Sequence, residues 1–488
     1  MVKTNLVTMA MASMVMAKTS GDGPLVDARR FDFLSKRRSV LFSFVYLVTV
    51  THIALAETII IPTFEITGVV VDNSFDSSSE SGYVTTISPG VIINSNGRKS
   101  DFSLVYAYDD ITSHDLEQDD REVHELELNA EFRHKPNQWT SFVRANNRLV
   151  NQDIDGIQST NPDIINVNSQ ELFTFDIGTN YSERLSRNIQ YSAGINLDYS
   201  DRDDNDSTED DNDSTSGREV ILSIDNFISD NILTWRAQAR SNFAESEDDD
   251  DQIDELEIVF NYRFDQTLSA FLELTATETD SDDSDDLNDD SSLVGLRWSP
   301  TRLSFVRAAI GKRGDDDTYD LDASISKARS LYSASYSESV RFRRDQLFDL
   351  TNDQFGQSTQ QSTAITPVLR QRGDIAATFT GVRSTITFSI FRDKESNPNN
   401  VDDEVTTGGE IKYDRRLSPR SNLSLTALSQ ETEFTEKGTL EEFTVSYEKS
   451  TSKTAEFEIF VSNASFDSTD ETDEYDQVSA GATYRVTF

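Results

Sequence analysis

Ile189-Gln190-Tyr191-Ser192-Ala193-Gly194-Ile195-Asn196-Leu197-Asp198-Tyr199 alternates apolar and polar residues without a break. Successive side chains of a strand point to opposite faces, so this stretch reads as a β-strand with one greasy and one wet face. The pattern recurs on both sides of it. Leu126, Leu128, Ala130 and Phe132 alternate with Glu125, Glu127, Asn129 and Glu131, and Leu256, Ile258, Phe260 and Tyr262 alternate with Glu255, Glu257 and Asn261. The chain ends on Val478, Ala480, Ala482, Tyr484, Val486 and Phe488 set against Gln477, Ser479, Gly481, Thr483 and Arg485. Helical spacing of apolar residues occurs nowhere over a comparable length. About 22 alternating segments, with a range of roughly 18 to 24, can be placed between Ile60 and Phe488.

The connections between segments form two sets. One is short, as at Asn96-Gly97, Asp265–Thr267 and Gly381–Arg383. The other is longer and often acidic, as at Asp201–Gly217, Ser246–Asp254, Thr279–Ser291 and Gln346–Arg370. Short and long connections in alternation place all the long loops at one end of an antiparallel array. The expected fold is therefore all-β, a transmembrane antiparallel up-and-down β-barrel with long acidic extracellular loops and short periplasmic turns. A soluble sandwich or solenoid is the competing reading. Three features favour the barrel. The polar faces carry charges of both signs. Aromatic residues such as Trp139, Tyr181, Tyr262, Trp298 and Tyr447 fall near segment ends. The last residue is an aromatic, Phe488.

Composition narrows the function classes. The 488 residues hold 87 Asp+Glu against 44 Lys+Arg, a formal charge of −43, and no cysteine. Such a charge argues against a nucleic-acid partner, which needs clustered cations. Without cysteine there is no disulfide framework, thiolate metal site or thiol nucleophile. Lys36-Arg37-Arg38, the apolar run Ser39–Ile53 and Ala54-Leu55-Ala56 follow the order of an export signal. The expected organisation is residues 1–35 as an N-terminal extension, from a misassigned start or, alternatively, as part of an extended signal, 36–56 as a signal peptide cleaved after Ala56, and 57–488 as the barrel. Between Glu57 and Ile60 no room is left for a plug domain, which counts against a plugged, energy-coupled transporter.

Candidate chemistry is sparse. The pore-wall candidates are Glu125, Glu127, Arg144, Arg236, Arg240, Glu257, Arg263, Glu273 and Arg485, charged residues on the polar faces. Tyr484, Val486 and Phe488 form the candidate membrane-insertion signal read by barrel assembly machinery. The acidic loops suit diffuse divalent cations that bridge to lipopolysaccharide. Asp201, Asp203 and Asn205 are the weak candidates for specific metal binding, since the glycine and the distal acid of an EF-type loop are absent. No cofactor is expected. His114, His124 and His134 are assigned to a loop, a strand and a turn, so they do not converge on one site. No nucleophile elbow, zinc-protease helix or phosphate loop occurs. The chain reads as a non-enzyme.

The start of the barrel segment carries a resemblance. Gly68-Val69-Val70-Val71-Asp72-Asn73, then Thr86-Ile87-Ser88-Pro89-Gly90, then Leu104-Val105-Tyr106-Ala107-Tyr108 resemble a family of uncharacterised outer-membrane proteins. That family is associated with the PEP-CTERM/exosortase system of exopolysaccharide-producing Gram-negative bacteria. The resemblance is confined to this stretch. It implies an outer-membrane barrel working beside polysaccharide export components. The combined expectation is a channel or export pore for polar solutes, exopolysaccharide among them, with Gln346–Arg370 as the candidate constriction. The alternatives are a non-conducting surface adhesin or polysaccharide anchor and, less favoured, an outer-membrane hydrolase using His114.

Overall fold

A computed structural model describes residues 57–75, 78–114, 120–151, 169–203, 214–226, 232–246, 250–281, 289–342, 367–396, 403–433, 437–468 and 475–488. The expected extension and signal peptide, Asn205 and most of the Gln346–Arg370 segment lie outside them.

The described residues form 22 strands. The first eight are β1 (Glu57–Phe75), β2 (Ser78–Asn96), β3 (Ser100–His114), β4 (Arg121–Lys135), β5 (Trp139–Asn151), β6 (Ser169–Arg184), β7 (Ile189–Asp203) and β8 (Ser214–Asn226). Next come β9 (Leu233–Glu245), β10 (Asp250–Arg263), β11 (Leu268–Ser281), β12 (Asp289–Thr301), β13 (Ser304–Arg313), β14 (Asp316–Lys327) and β15 (Ser330–Phe342). The last seven are β16 (Pro367–Thr380), β17 (Ser384–Ser396), β18 (Glu404–Ser418), β19 (Ser421–Glu433), β20 (Lys437–Ser450), β21 (Ala455–Ser468) and β22 (Tyr475–Thr487). Every strand pairs antiparallel with its sequence neighbours, and β1 closes on β22 from Thr63↔Thr487 to Phe75↔Tyr475. Closure gives every strand two neighbours, which hydrocarbon demands of a backbone that water cannot reach. The chain is a closed, transmembrane antiparallel β-barrel.

Register carries one face around the whole ring. On β10, Leu256, Phe260 and Tyr262 point outward and are exposed. So are Leu222 on β8, Val294, Leu296 and Trp298 on β12, Ile390 on β17 and Val461 on β21. From Leu256 to Phe264 the outward apolar band spans about 20 Å at ordinary strand rise and tilt, close to a bilayer's hydrocarbon. Outward rings cluster at the turn end of the band. Tyr262 meets Phe264 edge-on with centroids 5.1 Å apart, Tyr332 meets Phe379 at 5.7 Å, and His134 tilts against Trp139 at 4.6 Å.

The connections differ in detail from the expected alternation. Asp201–Gly217 was expected to be loop throughout, but β7 runs on to Asp203 and β8 begins at Ser214. Gly314–Thr318 is no long loop. It is a two-residue turn between β13 and β14, with Gly314 at φ 54°, where a side chain would be strained. His114 is the last residue of β3, stacked on Tyr83 at 4.3 Å, and His134 lies within β4. The ladder between β14 and β15 covers only Leu321↔Tyr336 to Lys327↔Ser330, leaving the loop-end half of β14 without that neighbour.

Candidate functional site: the lumen wall

The inward face follows from the pairing registers. Glu65 faces Arg485 across β1 and β22, and the same face passes through Glu127, Arg144, Asp176, Glu219, Arg240, Glu255 and Glu273. All nine charged candidates, Glu125, Glu127, Arg144, Arg236, Arg240, Glu257, Arg263, Glu273 and Arg485, share this inward face. Tyr484 and Val486 point outward, Tyr484 being exposed, and Phe488 closes β22 to β1 through its amide, which donates to the Pro62 carbonyl at 2.9 Å. Asp201 lies on β7 and is buried, and Asp203 is that strand's last residue. Among the described residues no three acidic or histidine side chains gather as a metal site.

Inward charges pair across strands. Arg236 Nη2 donates to both carboxylate oxygens of Glu257 at 2.9 and 2.8 Å. Arg307 bridges Glu273, at 2.6 Å, and Asp320. Arg240 pairs with Glu219, Arg485 with Glu65, and Arg144 with Asp176 at 3.5 Å. Several of these arginines remain half exposed: Arg144 61%, Arg485 53%, Arg236 49%. Water therefore reaches this part of the lumen, which lies toward the turns. Arginine also sits over inward rings, Arg307 over Phe271 at 4.4 Å and Arg144 over Phe142 at 4.7 Å.

Inward phenylalanines lie on glycines of the next strand. A Cβ added at Gly178, Gly295, Gly408 or Gly481 would strike the ring of Phe142, Phe271, Phe391 or Phe460 respectively. The glycine gives the ring a flat seat, and the ring covers backbone that glycine would leave bare. This couples neighbouring strands on the wet side without adding a charge.

Toward the loops the same wall is buried. Ser200, Thr318, Thr279, Ser479, Gln477, Thr406 and Thr67 are almost inaccessible, and so are Val69, Val71, Val84, Ile111 and Val123. Hydroxyls there satisfy each other across strands, as in Ser462···Ser479 and Ser200···Thr215, both 2.6 Å, and Thr67···Thr483 at 3.0 Å. Arg370 holds Asp393 through Nε at 2.7 Å to both oxygens, with 7% and 4% of the two side chains exposed. Glu395 lies 3.9 Å from Arg370, and Arg372 lies 3.8 Å from Asp393. A buried ion pair survives only with such satisfied geometry. Arg370, expected in the loop, belongs to β16.

The chain is an outer-membrane-type barrel by likeness as well as by geometry. The siderophore receptor PirA of Acinetobacter baumannii superposes with TM-score 0.51 at 7% identity, covering 89% of this chain and 81% of the receptor. OccK2 (OpdF) of Pseudomonas aeruginosa, solved with glucuronate, gives TM-score 0.37 at 8% identity over 88% of this chain and 98% of its own. OccAB1 of A. baumannii gives 0.36 at 9% identity, over 88% and 97%. No protein-family model matches the chain, and no curated protein does.

Sequence reasoning missed the buried apolar patch inside the lumen. Val69-Val70-Val71 is apolar on both faces, and Val70, pointing outward, is 62% exposed while its neighbours are 2% and 1%. A run with no alternation was the available signal. The ion pairs were also missed as pairs, because diagonal contacts such as Arg236 to Glu257 depend on register.

Proposed function

We propose that the chain resides in the outer membrane of a Gram-negative bacterium and forms a pore for polar solutes, with exopolysaccharide as the candidate cargo. The observation that carries this reading is the contrast of faces. Outside is an exposed apolar band, and inside, toward the turns, is a wall of ion-paired, water-exposed arginines and carboxylates. A wall of this kind wets a passage and offers hydrogen bonds to a hydroxylated solute. The nine inward charges serve as pore-wall residues. Outward Tyr484 and Val486 with Phe488 serve the assembly machinery. The acidic loop segments meet lipopolysaccharide through divalent cations. The purified protein in planar bilayers tests the central claim. Stepwise conductance is expected, together with swelling of sugar-loaded liposomes, and a sealed bilayer would overturn it.

A second reading has its own support. The loop-end half of the inner wall is buried, as a permanently closed surface anchor for polysaccharide would have it. That reading expects binding of exopolysaccharide to intact cells and no conductance under any condition.

A further inference from the structure

Among the described residues the ladder between β14 and β15 stops well short of the loop end, as the ladder between β4 and β5 does beyond Leu126↔Asn147. Above Leu321↔Tyr336, β15 leaves β14, although β14 keeps its pairing to β13 up to Arg313↔Asp316. Above that point β15 leans into the lumen. Arg313 and Thr318 both face inward, and both grip Glu338. The Arg313 guanidinium donates to the Glu338 carbonyl at 3.2 Å, and the Thr318 hydroxyl donates to its carboxylate at 2.8 Å. Tyr336 donates to the other carboxylate oxygen at 2.9 Å. Farther along, Phe342 and Val340 pack against Ala244 and Ile253, inward residues of β9 and β10 from another quarter of the ring. Phe342 and Ala244 are each 0% exposed. Unlike β14 beside it, this strand end does not line the wall. It reaches across the passage.

We propose that the loop-end part of β15, carried with its partner β16, is a gate hinged at Tyr336. Glu338 is its latch, and the Phe342 contact with β9 and β10 is its seat. This rests on the pore reading. The physical case is economy of breakage. On the β14 side the ladder is already absent, so opening the arm there breaks the Glu338 contacts and a small apolar seat, while on the other side the β16–β17 ladder, with its Arg370–Asp393 pair, must flex with it. Moving a strand paired along its length, such as β20, would break a continuous ladder on both sides. The remaining strands form the frame. The arm's displacement leaves the ring below Leu321↔Tyr336 closed.

The absence of native cysteine makes the test clean. Val340→Cys with Ile253→Cys tethers the arm to its seat through a reversible bis-methanethiosulfonate reagent and leaves Phe342 in place. Glu338→Ala releases the latch, and heat-modifiable migration in gels confirms folding of both. In planar bilayers the tethered form is expected to fall to roughly a tenth of the reduced form's conductance, with reductant restoring it. Glu338→Ala is expected to conduct at least about twofold above the parent chain. Conductance unchanged by the tether and by Glu338→Ala overturns the gate while leaving the pore. Absence of conductance in every form, the unlatched one included, overturns both.

Discussion

The two halves of the lumen are built from the same strands but by different rules. Toward the turns, the wall is charged, paired and wet, with arginines half in water. Toward the loops, it is largely hydroxylic or apolar and buried, and its charged clusters, around Arg370 and Asp393 and around Arg313 and Glu338, are closed off. A β-strand offers the same backbone to both halves. What differs is the side chain each half can tolerate. An exposed ion pair adds little stability but costs little, so the turn end is free to vary its charges. In the buried half every polar atom needs a partner, and short hydroxyl pairs across strands supply one at small volume.

The largest expected effect separates the halves directly. Asn422 and Gln430 share β19 and its inward face, Asn422 exposed at the turn end and Gln430 3% exposed at the loop end. A single cysteine at each position should react with a water-soluble maleimide at very different rates. Asn422→Cys is expected to be faster by on the order of 100-fold, since the buried thiol must wait for local opening. Equal rates, followed by mass spectrometry, would abolish the distinction between the halves.

Packing gives the next effect. Phe271 is 4% exposed, seated on Gly295 and clustered with Leu293 and Ala309. Phe271→Ala removes the ring and the contact that joins β11, β12 and β13. A loss of about 3 kcal/mol is expected, the lower end for a buried aromatic. Leu296 on β12 points the other way, 54% exposed toward hydrocarbon, and Leu296→Ala should change stability by less than about 1 kcal/mol, because lipid fills the space left behind. Urea unfolding in lipid vesicles compares the two, and similar losses would mean that the inward ring is not structural.

A smaller effect comes from charge. Arg236→Ala leaves Glu257 without its partner in a water-filled region, so its stability cost should stay within about 1 kcal/mol. The electrical effect is more telling. Removing a cation from the wall of a conducting barrel shifts the reversal potential under a salt gradient toward cation preference. An unchanged reversal potential would place Arg236 outside the ion path.

How far the sequence foretold this molecule follows from which medium each residue meets. Strand number and inward charges were legible because hydrocarbon enforces strict alternation, and the segments around residues 194, 259 and 482 obey it. The two halves of the lumen were not legible. Thr432 and Thr426 look alike in sequence, yet only the first is buried, because depth along the barrel is set by stagger between strands rather than by residue type. The departure of β15 was hidden for the same reason. Ser337-Glu338-Ser339 reads as an ordinary wet strand, and only its grip by Arg313 and Thr318 from another part of the chain marks it out.

The smallest expected effect lies outside both halves, in the turn between β10 and β11. The Asp265 carboxylate accepts the amides of Thr267 and Leu268 at 2.6 and 2.9 Å and the Thr267 hydroxyl at 2.8 Å. These donors, the Thr267 amide first, hold its carboxyl below the usual range. The shift favours the folded turn only while the carboxylate is ionised. Its stabilisation is therefore fully present above the unfolded pKa, near 4 by ordinary Asp chemistry, and disappears as pH falls through the lower folded value. Asp265→Asn keeps an oxygen acceptor in the turn but abolishes titration. Unfolding midpoints of the two chains should accordingly converge as the pH drops below about 4 and separate above it, the parent chain being the more stable at neutral pH. Midpoints separated by the same interval at every pH would show that the turn is held by its oxygen alone, and that the charge on Asp265 contributes nothing to the order of the turn end.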